Sequence, residues 1–530
     1  MSTRGIPAVG VLVLLGMVSC APIKTAPAST PVPATDWASK LREADTFYAR
    51  ASYLALSRAM LILQDVLTVP EWREAAAERY VRTALALGLR EKELGMRGGM
   101  ASGLLSSLVS TEPSAAAYGS YAELLASLPS KIKGIAGDNL PAGTTLDAHF
   151  DWIQAHIPPF DQDLKVRAES DDLMACLRAA LREAFSFKFA DKLKAGYCSV
   201  LHPESRLAEF QDAISPRPDR DRLNALLDRD PEFVEVHYYL GNLALEDGRL
   251  VTAEQHYLEV YGRIPESPSV LISLANVAFQ IEELETCLAY NEKALALVPA
   301  YRDALLGKGM CLGYLGRFQE ALAPLQKMIE LGTYYQGEAR YWTAWNLNEL
   351  ERLDEARKSI DAAKTLLFGQ ADVTTLSGLI AYKQGRLDDA ERDLRASLAS
   401  DPSDADAAYY LGKLYADRKD WRNSGVYFMG AAESFWKKEL GLEKKIGEIE
   451  ESTLAAERKE RLIAKKKRQM IAAQATKATC QYNGAAGFFN AGSPELALGL
   501  AELSAGHPAF AERAAALIRL IKSKIRGADR

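Results

Sequence analysis

The sequence predicts an all-α chain whose centre is a stack of helical hairpins. Three observations predict it. From Val234 to Ala432 a set of small and apolar residues recurs about every 34 positions. Before that stretch, apolar residues step by three and four, the spacing of one helix face. After it, Ala431 to Thr479 holds no proline and is dense in Lys, Glu, Arg, Ala and Gln, all of which favour helix.

The clearest copy of the repeat runs from Val234 to Ser267, with Leu240 and Gly241, Ala244, Gly248 at a turn, Ala253, Tyr257 and Pro265. A second copy starts near Pro268 with Leu274, Ala275, Cys287, Ala294 and Pro299, and a third near Arg302 with Gly309, Gly316, Ala321 and Met328. The fourth starts near Gly337, one residue late, and has Glu351 where the turn glycine is expected. The fifth, from Ala371, has Gly378, Ala381, Gly385, Ala390 and Pro402, and the sixth, from Ala405, has Leu411, Gly412, Tyr415 and Phe428, with Lys419 at the turn. Small residues at Gly241 and Ala253 let two helices approach, larger ones such as Leu240 and Tyr257 fill the space between them, and a turn glycine takes a positive φ at little cost. A proline just past a helix ends it without removing an internal hydrogen bond.

This pattern resembles the tetratricopeptide family. The resemblance implies a tetratricopeptide-type helical-hairpin solenoid over 221–432, with an irregular helical region before it (37–220), a long charged helix after it (433–477) and a degenerate capping repeat at 478–530. It also implies that first helices line a concave face. Carried over position by position, that face would be built from Tyr238, Tyr239, Asn242, Asn276, Phe279, Tyr314, Tyr341, Trp342, Trp345, Tyr382, Tyr409 and Tyr410, with Met310, Leu379 and Lys413 at the same positions. The asparagine position of a carboxylate clamp is matched by Asn242 and Asn276, but the accompanying basic residues are missing. Two readings of the aromatics stand open: rigid amphipathic anchors for a ligand, or filling for the solenoid core.

The chain starts like an export signal. Arg4 precedes an apolar run from Ile6 to Val18, shorter than a membrane span. Met17 to Cys20 reads MVSC and resembles a bacterial lipobox, which implies cleavage of 1–19, lipid on Cys20, and, with Ala21 following, the periplasmic face of an outer membrane. Losing Arg4 takes the formal charge from −6 to −6 − 1 = −7. Residues 20–36 are rich in Pro, Ala and Thr and cannot bury enough apolar surface to fold. At about 3 Å per residue they make a tether of roughly 50 Å.

Residues 37–220 read either as degenerate repeats or as a separate helical domain. Gly95 to Gly103, Gly134 to Gly143 and Pro158–Pro159 interrupt them, and Ser215 to Arg222 is the boundary with the array. The charged stretch, if continuous, would reach about 70 Å at 1.5 Å per residue. Leu442, Ile449, Ala456, Ile463 and Met470 recur every seven positions, half of a coiled-coil seam. It fits a solvated helix, an arm between repeats, or an arm docking a protein or acidic headgroups. In the capping repeat, Ala485, Phe488, Gly492 and Ala497 keep the core spacing, Ser493 with Pro494 opens its second helix, and Ala511 to Ile525 closes the chain.

No motif carries catalysis. His149 and His156 with Asp151 and Asp161 give no compact ligand set for zinc. His237 and His256 fall on paired helices of the first repeat and suit packing. Gly98 to Leu105 lacks the lysine of a phosphate loop. There is no CxxC. Cys287 reads as a packing thiol, Cys311 lies on a first helix, Cys480 lies near a repeat entrance, and Cys176 and Cys198 are the pair that could bridge. The expected function is therefore a non-enzymatic envelope scaffold that binds proteins or peptides, with no cofactor and no nucleic-acid partner, anchored in the lipid bilayer through Cys20. A glycan-binding factor and an enzyme sited in the N-terminal helices are the alternatives.

Overall fold

The computed structural model describes residues 36–94, 100–111, 207–214, 217–332 and 336–528. The signal, Cys20, the tether, His149, His156, Cys176 and Cys198 lie outside the described residues. Among those described every regular element is a helix.

The N-terminal part holds α1 (Trp37–Arg50), α2 (Tyr53–Leu67), α3 (Arg73–Glu93) and α4 (Met100–Thr111). Then come α5 (Leu207–Ile214) and α6 (Arg220–Arg229). The array follows as six antiparallel pairs. They are α7 (Glu235–Glu246) with α8 (Leu250–Arg263), α9 (Pro268–Ile281) with α10 (Leu284–Leu297), and α11 (Arg302–Tyr314) with α12 (Phe318–Leu331). The other three are α13 (Gln336–Glu349) with α14 (Leu353–Leu366), α15 (Ala371–Lys383) with α16 (Leu387–Ser400), and α17 (Ala405–Asp417) with the first half of α18 (Trp421–Glu451). The expected hairpin solenoid is present. The chain ends with α19 (Ala456–Asn490), α20 (Pro494–Ala505) and α21 (Ala511–Ala528).

The small-for-large pairing works as the sequence implies. A Cβ added at Gly241 would stand 2.5 Å from the Tyr257 ring, one at Gly309 2.5 Å from Leu325, and one at Gly378 2.6 Å from Leu394. Each large partner is closed to solvent, and such burial is worth about 1.5–3 kcal/mol per side chain. The turn between paired helices needs a left-handed residue in every repeat. Gly248, Gly316 and Gly385 take φ of 73°, 76° and 74°, while Glu282, Glu351 and Lys419 hold the same conformation at 67°, 58° and 61°. The turn geometry is thus set by packing, and the residue type follows it only in part.

The N-terminal helices pack on the start of the array. Arg50 donates to both oxygens of Asp230 (2.8 and 2.6 Å) and to Glu232 (2.7 Å). Ser267 Oγ donates to the Leu94 carbonyl at 2.7 Å, and Leu94 shares a buried cluster with Val234, Ala253, Tyr257 and Val270.

Three expectations need correction. Cys287 is not a packing thiol: it forms a disulfide with Cys311 between α10 and α11. Their Cα atoms are 6.5 Å apart, within disulfide reach. The charged stretch is not one continuous helix. It breaks at 452–455 and folds back, so that α18 and α19 make an antiparallel arm. There Ser452 Oγ caps the Ile449 carbonyl at 2.6 Å. The buried seam on α19 is Leu462, Lys466 and Ala473, one register off the heptad through Ile463 and Met470. Finally, Ser493 occupies the cap position of α20 with Pro494 behind it, but its hydroxyl makes no capping bond.

Candidate functional site

The first helices α9, α11 and α13 bring one set of rings together across three repeats. Phe279 lies 5.4 Å from Tyr314, centroid to centroid, and Tyr314 lies 5.5 Å from Trp342 and 5.6 Å from Trp345. Trp342 meets Tyr341 at 5.2 Å and Trp345 at 5.6 Å, both edge-on. Phe318, from α12, extends the set at 5.7 Å from Trp345. Tyr314 is the open face of this platform, 52 % exposed. Tyr341 and Trp345 also rest on the core of the fourth repeat, so these two rings fill the solenoid at least in part.

The remaining expected residues form separate groups. Tyr382, Tyr409 and Tyr410 surround the Lys413 ammonium, 5.2, 5.8 and 5.4 Å from its nitrogen. Tyr239 turns towards Phe210 of α5 at 5.6 Å. Tyr238 packs 6.0 Å from Tyr257, and Asn242 accepts the Tyr257 hydroxyl at 2.8 Å. Asn276 is exposed.

A second feature escaped the sequence reading. Glu235, Asp303, Glu338, Asp372 and Asp406 all stand in the first turn of first helices, and α9 alone lacks an acid there. Each gains from the partial positive charge at a helix start. Those of the later repeats also reach the rings: the charges of Asp372 and Glu282 help push the Tyr314 phenol up after burial, and Asp372, Asp404 and Asp406 do so for Tyr341. Burial lifts the Asp303 carboxyl to about 7, against the pull of Arg302. Burial also raises Asp406, with the Lys438 charge opposing. Asp406 keeps an exposed surface, yet the protein crowded around its carboxyl partly desolvates it. Glu235 is already committed, accepting the Tyr53 amide. These acids recur at the repeat spacing and are legible from the sequence on that ground.

His237 and His256 meet with their Nδ1 atoms 3.0 Å apart. Burial lowers both, His256 lies close enough to depress His237 further, and Arg249 and Arg263 work in the same direction against Glu259. Among the described residues no group of three or more His, Cys, Asp and Glu side chains is placed to hold a metal ion. Residues 36–111, where described, have a filled interior with Leu56, Met60, Leu63 and Leu87 closed to solvent. No described helix is long and apolar enough to cross a membrane.

A sequence profile described as Tetratricopeptide repeat matches residues 220–268 and 375–425. No curated protein matches the chain. Similar solved structures include YrrB, described as a TPR protein with an unusual peptide-binding site (25 % identity, 34 % of this chain and 91 % of that one, TM-score 0.29). A tetratricopeptide repeat protein from Parabacteroides merdae is 16 % identical over 51 % of this chain and 95 % of its own, with TM-score 0.35. PilF of Pseudomonas aeruginosa is 17 % identical over 37 % and 88 %, with TM-score 0.34.

Proposed function

We propose that this tetratricopeptide-repeat chain is an envelope scaffold that captures a polypeptide in the groove of its first helices. The observation that carries the reading is the ring platform of Phe279, Tyr314, Tyr341, Trp342 and Trp345, contributed by three successive repeats. Rigid rings contribute contact area at small entropic cost. The acids whose charges reach them, Asp372 and Asp406, favour a segment carrying lysine or arginine, whose cations suit both carboxylates and ring faces. Cys20 and the Pro-rich tether would hold this groove at the periplasmic face of an outer membrane.

The test is binding to arrays of peptides and of glycans, with Tyr314→Ala as the decisive variant. Tyr314 is half open, so its truncation leaves the core intact, whereas Trp345→Ala would also disturb packing. A hot-spot ring is worth about 2 kcal/mol or more, so basic peptides should lose roughly thirtyfold in affinity, each 1.4 kcal/mol being about tenfold. Glycan binding without peptide binding would replace this reading with the polysaccharide alternative.

A further inference from the structure

The arm made by α18 and α19 is longer than any repeat requires, with 31 and 35 residues against 12–14 in the other helices of the array. Within the arm, Leu442, Leu462 and Ala473 are buried, and Lys477 pairs with Glu439. The outer part of the arm is held by this pairing, while its root packs with the sixth repeat through Phe428, Ala431, Phe435 and Cys480. The contact of the outer part with the array is of another kind.

Arg458, at the tip, forks across two glutamates. It donates to Glu283 at 2.8 and 2.7 Å and to Glu254 at 2.6 and 3.0 Å. Further along α19, Lys466 and Gln469 reach the two carboxylate oxygens of Glu282 at 2.6 and 2.7 Å, and Lys465 donates to the Glu282 carbonyl at 2.5 Å. The partners lie 175 to 204 residues apart in sequence, so the arm ties the end of the array back to its first two repeats. A cavity of about 580 Å³ remains between Glu282 and the arm, walled by Phe435, Leu442 and Gln469.

The rim on which the arm rests is coded for it. At the turn and the residue after it, the six repeats read Gly248-Arg249, Glu282-Glu283, Gly316-Arg317, Glu351-Arg352, Gly385-Arg386 and Lys419-Asp420. Four of the six place arginine second. The second and sixth repeats place an acid there instead, and Glu283 of the second shares Arg458 with Glu254 of the first. Arg317, Arg352 and Arg386 instead pair with acids of their own helices, Glu320, Glu355 and Asp389, and would repel the basic face of the arm. Glu282 also holds the left-handed turn conformation at φ 67° without being glycine.

We propose that the arm is an ionic strap over the mouth of the groove, docked on the second repeat by charge and released as one body to admit a polypeptide. The proposal rests on the groove reading above. Phe279 lies one helical turn before Glu282, so the strap sits beside one end of the ring platform. The contact consists of charged and polar side chains while the helix backbones stay mostly apart. Such a junction is weakened by a competing basic segment and, to the smaller degree that its partly buried pairs allow, by salt, whereas an apolar one is not.

Two measurements on the full chain test it. Hydrogen exchange of residues 456–470 is followed in the parent at low salt and at about 0.5 M salt, where screening acts within roughly 4 Å, and in Arg458→Glu at low salt. Exchange should rise in both cases and return towards the parent in Arg458→Glu with Glu283→Arg. Unchanged exchange in both would overturn the strap. At low salt, a fluorescein-labelled dodecapeptide of alternating lysine and alanine is then bound to parent and Arg458→Glu. If the closed form predominates about nine to one, opening should raise apparent affinity about tenfold. Freed exchange with unchanged peptide affinity would overturn the gate and leave the groove standing. Freed exchange with no peptide bound by either protein would overturn the groove reading and the gate with it.

Discussion

The solenoid and the arm are both helical and lie against each other, yet they are held by opposite means. Each repeat closes by seating a large side chain against a small one, Tyr257 on Gly241 or Leu325 on Gly309, with both closed to solvent. The arm meets the rim through Arg458, Lys465 and Lys466 on glutamates. Apolar packing at native density does not yield by degrees, while these partly buried ion pairs depend on both partners being present, so one reversed charge undoes them. The array thus fixes the groove, and the arm is the part free to leave it.

The largest way to break this comparison is to strike the packing. Gly309→Val would force its side chain into Leu325 and should cost about 3 kcal/mol, read as a lower urea midpoint of helix content. A loss below about 0.5 kcal/mol, the usual size for a surface change, would mean that hairpin closure does not rest on this contact.

Next in size is a pH effect inside the array. In the folded chain His237 and His256 titrate below the ordinary histidine value, for want of solvation and because cations lie near. As pH falls through about 6.5 the unfolded chain takes up protons first, so their contribution to stability is present above that pH and lost below it. Asp303 has the opposite sign: its carboxyl, raised to about 7, binds a proton in the folded chain first, so acidification from neutrality stabilises through it. Urea midpoints at about pH 7.5 and 5.5, which bracket these transitions, should show His256→Asn losing less on acidification than the parent and Asp303→Asn losing more. Identical profiles for all three would contradict the assigned environments.

The smallest effect separates strain from docking. Lys419→Gly relieves a left-handed residue and should stabilise by about 0.5–1 kcal/mol once glycine's unfolded-state entropy is deducted. Glu282→Gly relieves the same strain but removes the acceptor of Lys466 and Gln469. It should stabilise less than Lys419→Gly and, unlike it, free the arm in hydrogen exchange.

The repeats were legible because their packing needs recur at fixed spacing: Gly241, Gly309, Gly378 and Gly412 each answer a ring or leucine on the next helix. The rings of the platform were legible for the same reason, as positions carried along a period. The disulfide was not, since Cys287 and Cys311 belong to neighbouring repeats and only the stacking brings them together. Nor was the fold-back of the arm. Ser452 and Thr453 are ordinary in a helix of charged residues, and the contact that rewards the turn lies far away at Glu254, Glu282 and Glu283. The rim code was visible in the residues after each turn, but it acquires meaning only once Arg458 is seen to rest there.

The central claim is that the groove holds a polypeptide at Tyr314. A photoreactive benzoylphenylalanine placed at Tyr314 in intact cells, with Phe368 as a control 94 % exposed outside the groove, tests it most directly. The account predicts a discrete polypeptide adduct from position 314 that is absent from 368. The same adducts from both positions, or no polypeptide adduct at 314, would contradict it.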